Sequence, residues 1–158
     1  MANTASLCTS FLAELLTGTH NFGASPIRAA ATADTFKGAL YLASATYNAA
    51  TTAYSVTGEV SGTGYTAGGV TVTNATAPAS TNTSSTAGVA YWTPSASLTY
   101  TTVTLTTAFD TVLIYNSTQS NKAVGVYTFG SQTITAGTFT LTMPTNSTSA
   151  ALVRLATT

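Results

Sequence analysis

The stretch EVSGTGYTAGGVTVTNAT, from Glu59 to Thr76, sets four glycines (Gly62, Gly64, Gly68 and Gly69) between a carboxylate and an apolar run, in the outline of a phosphate-binding turn. The detail does not fit. A dinucleotide fingerprint needs GxGxxG between a strand and a helix, so that backbone N–H groups and the helix N-terminus meet the pyrophosphate. Here the spacing is GxGxxxGG, and the run that follows, VTVTNA, alternates like a strand. A Walker-type loop needs a lysine directly after glycine, and neither Lys37 nor Lys122 follows one. The stretch reads as a glycine-permitted turn or bulge feeding a strand, and no nucleotide or other cofactor is expected.

His20 is the single histidine, so a serine or cysteine nucleophile with a histidine base would have to be built around it. It lies just past a helical pattern, where a histidine commonly caps carbonyls or packs on a neighbour such as Phe22. The same scarcity argues against a zinc site, which draws on several Cys, His or acidic ligands. A glycosidase needs two carboxylates at working distance. The four present are Glu14, Asp34, Glu59 and Asp110. Glu14 is expected on the exposed face of a helix, and Asp34 and Asp110 are expected in turns before strands. No catalytic residue and no metal ligand is assigned.

Tyr91 and Trp92, with Tyr41, Tyr47, Tyr54, Tyr65 and Tyr100, could form a stacking platform for a sugar or base, but burial or an interface is the expected role, because Tyr and Trp join a large apolar area to a hydrogen-bonding tip. Stacking of nucleic-acid bases also needs a positive groove, and the chain supplies none. Its four basic residues, Arg28, Lys37, Lys122 and Arg154, are scattered singly and balance the four acids. Neither nucleic acid nor a membrane surface is an expected partner.

These residues must be positioned by a β-rich chain. Charged residues make up 5% of the 158, and threonine alone roughly a quarter, which favours pleated, half-buried strands over helices. Leu7, Phe11, Leu12, Leu15 and Leu16 recur at helical spacing between Thr4, an N-cap residue, and Gly18, a C′ residue, predicting one helix over 5–17. TFKGALYL follows as a strand, then a looser segment with a turn near Asn48. From Gly69 onward GVTVTNA, GVAYWT, LTYTTVTLTT, TVLIYN, AVGVYTF, TFTLTM and ALVRLA read as short strands. The clearest unit is a hairpin with a polar loop from Asn116 to Lys122. The pattern predicts a mainly β protein, an antiparallel β-sandwich or jelly-roll-like domain over 35–156 with the N-terminal helix, all within one domain of residues 1–158.

Cys8, the only cysteine, is expected to be a small core residue and excludes an internal disulfide. The N-terminus carries Glu14 in its apolar part and does not read as a signal peptide; no apolar run approaches the length of a membrane span. Four sequons, at Asn74, Asn82, Asn116 and Asn146, are what chance gives in so threonine-rich a chain. A near-zero net charge gives a free protein little colloidal protection, which points to life in an assembly.

MANTASLCTSFLAELLTGTHNF, TFKGALYLASATYNAATTAY, EVSGTGYTAGGV, VLIYNSTQSNKAVGVYTFG and ALVRLA occur in this order. Together they resemble the small virion structural proteins of tailed bacteriophages, which include capsid decoration and head-fibre-like proteins. The longer insert GASPIRAAATAD and the region around 75–98 depart from that pattern. The resemblance implies a non-enzymatic protein without cofactor or metal, made in the cytoplasm of a bacterial host and carried on the virion. Its implied function is decoration or cementing of the assembled capsid, and its implied partners are the major capsid protein or other virion proteins and its own copies, as in a trimer. The residues expected at assembly contacts are Leu7, Phe11 and Leu15 on the helix and Gly62, Gly64 and Tyr65 in the glycine-rich segment. A tail, neck or fibre component is the alternative in the same class. A displayed carbohydrate-binding module using Tyr91 and Trp92 is the alternative from another.

Overall fold

The computed structural model describes residues 5–16, 18–22, 33–73, 77–81 and 88–156. The protein is mainly β, with two antiparallel sheets. The larger joins β1 (Ala5–Leu7), β2 (Phe36–Leu42), β3 (Val70–Thr71), β6 (Leu98–Asn116) and β7 (Lys122–Leu141) in the order β1-β7-β6-β2-β3. The smaller joins β4 (Ala79–Ser80), β5 (Val89–Trp92) and β8 (Val153–Ala156) in the order β4-β5-β8.

The N-terminal segment departs from the predicted helix. Its first residues form β1, in which Ala5, Ser6 and Leu7 pair with Tyr127, Val126 and Gly125 of β7. The helix, α1, spans Thr9–Leu16 only. Apolar spacing alone does not distinguish the two, because the strand is selected by the open edge of β7, more than a hundred residues away in sequence. Thr4, the predicted N-cap, lies outside the described residues. The C-terminal end is as read: the N–H of Gly18 donates to the Leu15 carbonyl at 3.1 Å and that of Thr19 to the Glu14 carbonyl at 2.9 Å. Gly18 has φ 66°, the left-handed cap that glycine adopts without strain.

The hairpin at Asn116–Lys122 forms as predicted, with β6 ending at Asn116 and β7 beginning at Lys122. The two arms are longer than the sequence suggested. LTYTTVTLTT and TVLIYN merge into one strand, as do AVGVYTF and TFTLTM, so Asp110 sits within β6 rather than in a turn. The merger is tolerated because the ribbon is repeatedly bulged: its register shifts between Tyr100 and Val103, Val103 and Leu105, Leu105 and Phe109, and Phe109 and Thr111. Thr102 and Ala136 take positive φ at these irregularities. Bulges bend and twist a ribbon, and here the ribbon folds back on itself. Phe139 lies 5.1 Å from Phe109 and 5.3 Å from Phe129, ring centre to ring centre. Tyr100 donates its hydroxyl hydrogen to the carbonyl of Gly38 in β2 at 2.8 Å.

The core runs along β2 and β6, where Phe36, Leu40, Tyr41, Phe109, Val112 and Leu113 are fully buried. Aromatic contacts link the two sheets: Phe22 stacks on Phe36 at 4.5 Å and meets Trp92 of β5 edge-on at 4.7 Å. Among the described residues no helix is long and apolar enough to cross a membrane.

Candidate functional site

The glycine-rich segment folds into a loop clamped by Glu59. One carboxylate oxygen accepts hydrogen bonds from the Tyr65 hydroxyl and the Gly68 N–H, both at 2.7 Å, and the other accepts one from the Tyr54 hydroxyl at 2.7 Å. Tyr65 in turn receives the Leu40 N–H at 3.1 Å, and Tyr115 donates to the Gly68 carbonyl at 2.8 Å. Burial, and then the neighbouring Glu59 charge, push the Tyr115 phenol up to about 12. Tyr54 and Tyr65 are raised further, by burial first and then by donating to Glu59. All three stay protonated donors across the physiological range.

The loop's glycines are needed for approach of backbone to backbone. A Cβ on Gly69 would lie 1.7 Å from the Gly38 carbonyl oxygen, and one on Gly62 would lie 2.0 Å from that of Thr104. Thr63 bridges to Thr104, so the loop is laid along the outer edge of β6. The N–H groups of Tyr65, Gly68 and Gly69 and the Glu59 carboxylate are spent within the chain, as a turn-and-bulge reading requires. The predicted contact residues here differ in availability. Gly62 and Gly64 are exposed on their outer side, while Tyr65 is half-buried with its hydroxyl committed to Glu59.

A second cluster gathers residues distant in sequence. His20, whose side chain is 0% exposed, places Nε2 2.8 Å from a Glu14 oxygen and Nδ1 3.0 Å from the Asn116 amide nitrogen. The Asn116 Oδ1 is taken by the N–H groups of Thr118 and Gln119, which fixes its nitrogen toward the histidine. That nitrogen is a donor, so Nδ1 accepts and the ring proton sits on Nε2, directed at Glu14. Asn116 also donates to Asp34 at 2.7 Å, and Asp34 accepts from the Asn21 N–H at 2.9 Å and the Gln119 side chain at 3.1 Å. Lys122 completes the set with an ion pair to Glu14.

Two expectations are corrected here. Glu14 does not face solvent from the helix, and Asp34 is a buried acceptor, not a surface turn residue. Burial raises the Glu14 pKa, but the hydrogen bonds from Lys122 and His20 and the Lys122 charge outweigh it and hold the carboxyl below its ordinary value. Both ring nitrogens of His20 are engaged, and the ring is packed against Phe11, 4.9 Å away. The arrangement joins the N-terminal segment to the β6–β7 turn. Among the described residues no group of three or more His, Cys, Asp or Glu is placed to hold a metal ion.

The third feature lies between α1 and the smaller sheet. Phe11, Leu15, Phe22, Tyr91, Trp92 and Val153 help line an apolar cavity of about 150 Å³. Trp92 is 2% exposed and Phe11 is 0% exposed. Both serve the chain's own core: Trp92 is buried, as expected of it over a sugar platform, whereas Phe11 is not exposed for the assembly contact expected of it. Leu7, Leu15 and Tyr91 are half-buried. Cys8 is fully buried, and burial followed by the Glu14 charge pushes its thiol up to about 11, so it is held as an inert thiol.

These clusters hold four of the chain's eight charged residues, Glu14, Asp34, Glu59 and Lys122. Of the charged residues described, Arg154 alone is exposed; Glu14, Lys37, Glu59, Asp110 and Lys122 are half-buried and Asp34 is buried. Sequence reasoning missed this because the partners are brought together from residues 14, 20, 34 and 116–122, and no local spacing signals it. Comparison of the chain with protein families, curated proteins and solved structures finds no match.

Proposed function

We propose that this chain is a non-enzymatic virion structural protein of a tailed bacteriophage, a decoration or cement protein that binds the assembled capsid and stabilises it. The observation that carries the reading is the scarcity of exposed charge among the described residues. With Arg154 the one charged residue exposed among those described, a neighbour can cover a threonine-, serine- and alanine-rich exterior while stripping water from few ions. Many weak neutral contacts, repeated over a lattice, hold through multiplicity rather than individual strength. The ordered segments that resemble phage virion proteins favour the same class.

In this reading the two sheets form a β-sandwich closed by Phe22, Phe36 and Trp92, and the exposed outer side of Gly62 and Gly64 meets the capsid. A protein that binds the shell and not the dissociated subunits stabilises the shell by mass action. Capsids stripped of the protein are expected to rebind it from solution and to regain resistance to heat and osmotic shock. Failure to rebind, together with unchanged resistance of capsids that lack it, contradicts the proposal.

A further inference from the structure

The larger sheet ends on an unusually bare edge. Among the described residues β1 covers β7 from Gly125 to Tyr127. From Phe129 to Leu141 no strand among the described residues pairs with the outer side of β7. Sheets protect such edges with lysine, inward-pointing charges, proline or bulges. This edge has bulges but none of the other devices: no charged residue occurs from Ala123 to Val153, and the first proline after β7 is Pro144. The bulges leave one regular run at the end of the strand, where Phe139, Thr140 and Leu141 pair in unbroken register with Tyr100, Thr99 and Leu98.

We propose that this end of β7, Gly137–Leu141, pairs antiparallel with the same segment of a second copy, making one continuous sheet across a two-fold axis. A second copy is the partner that the chemistry favours. A two-fold axis sets a segment against itself, so a charge in it would meet its own kind nearby, and this segment carries none. Around Phe139 the sequence reads Thr-Phe-Thr. An axis beside Phe139 therefore sets Thr138 opposite Thr140 of the partner subunit, a cross-strand pairing of β-branched hydroxyl residues that stabilises antiparallel sheets. Thr138 and Thr140 are exposed, whereas Phe139 and Leu141 are half-buried against the core, so pairing orders the edge without unpacking the subunit. The symmetry is two-fold, not the three-fold of a trimer, and the inference does not depend on the virion reading.

Sedimentation and native mass measurement at micromolar concentration test it. The native chain is expected at twice the monomer mass. T138K/T140K sets like charges opposite each other across the axis and is expected at the monomer mass. T138K/T140E sets opposite charges there and is expected to return to the dimer mass, which separates loss of pairing from loss of folding. A monomeric native chain overturns the inference, as does a dimer that survives T138K/T140K or a T138K/T140E variant that remains monomeric.

Discussion

Glu59 is the carboxylate that holds the glycine-rich loop in place. Its two oxygens hold two tyrosine hydroxyls and a backbone N–H, and through Tyr65 and Gly68 they fix the loop against β2 and β6. Glu59→Gln keeps the shape but replaces one acceptor oxygen with a donor group that faces another donor. A lost partner for a buried donor costs about 1–3 kcal/mol, and at this chain length each kcal/mol lowers the midpoint by about 2–4 °C; thermal unfolding reads it directly. Gly69→Ala is expected to be at least as damaging. It adds a Cβ 1.7 Å from a carbonyl oxygen at a residue with φ 71°, and the strained backbone alone is of the order of 1–3 kcal/mol. The failed glycine spacing already excluded a phosphate loop from sequence alone. That Glu59 is the clamp was not legible, because Tyr54, Gly68 and the β2 backbone reach it only through the fold.

At the level of elements, the N-terminal segment is tied down at two places, by β1 on β7 and by Glu14 on His20 and Lys122. The folded Glu14 pKa lies below its ordinary 4.5, so its contribution is fully present above about 4.5 and is lost as the pH falls through the lower folded value. Protection of the Ala5–Leu16 amides, taken relative to the intrinsic exchange rate at each pH, is expected to fall on acidification before that of the β2–β6 core, and Glu14→Gln is expected to remove this acid-dependent step. Simultaneous loss of both regions contradicts the assignment. Trp92→Ala removes the contact of the smaller sheet with Phe22 and is expected to cost about 3–5 kcal/mol, measured by denaturant unfolding. The polar loop from Asn116 to Lys122 was legible, since two apolar runs flank it. The continuity of β6 and β7 was not: Ala108-Phe109-Asp110 and Gly130-Ser131-Gln132 look like breaks, and only the bulged pairing carries the strands through them. β1 was hidden for a related reason, since Ala5–Leu7 fits a helix until the edge of β7 is present.

For the whole molecule, composition foretold more than any motif. Few charges and abundant threonine gave the mainly β architecture and the expectation of an assembly, but not where the charges go. Among the described residues the charges other than Arg154 are buried or half-buried, which leaves few for salt to screen. Attachment to capsids is accordingly expected to change little between low and high salt, whereas a charge-driven attachment weakens steeply as salt rises. The central claim, that the chain is built into the capsid in many copies, is tested most directly by quantitative mass spectrometry of purified virions, counting copies of this chain against copies of the major capsid protein. A ratio that follows the symmetry of the capsid lattice is the result predicted. A handful of copies per particle, or none, contradicts it.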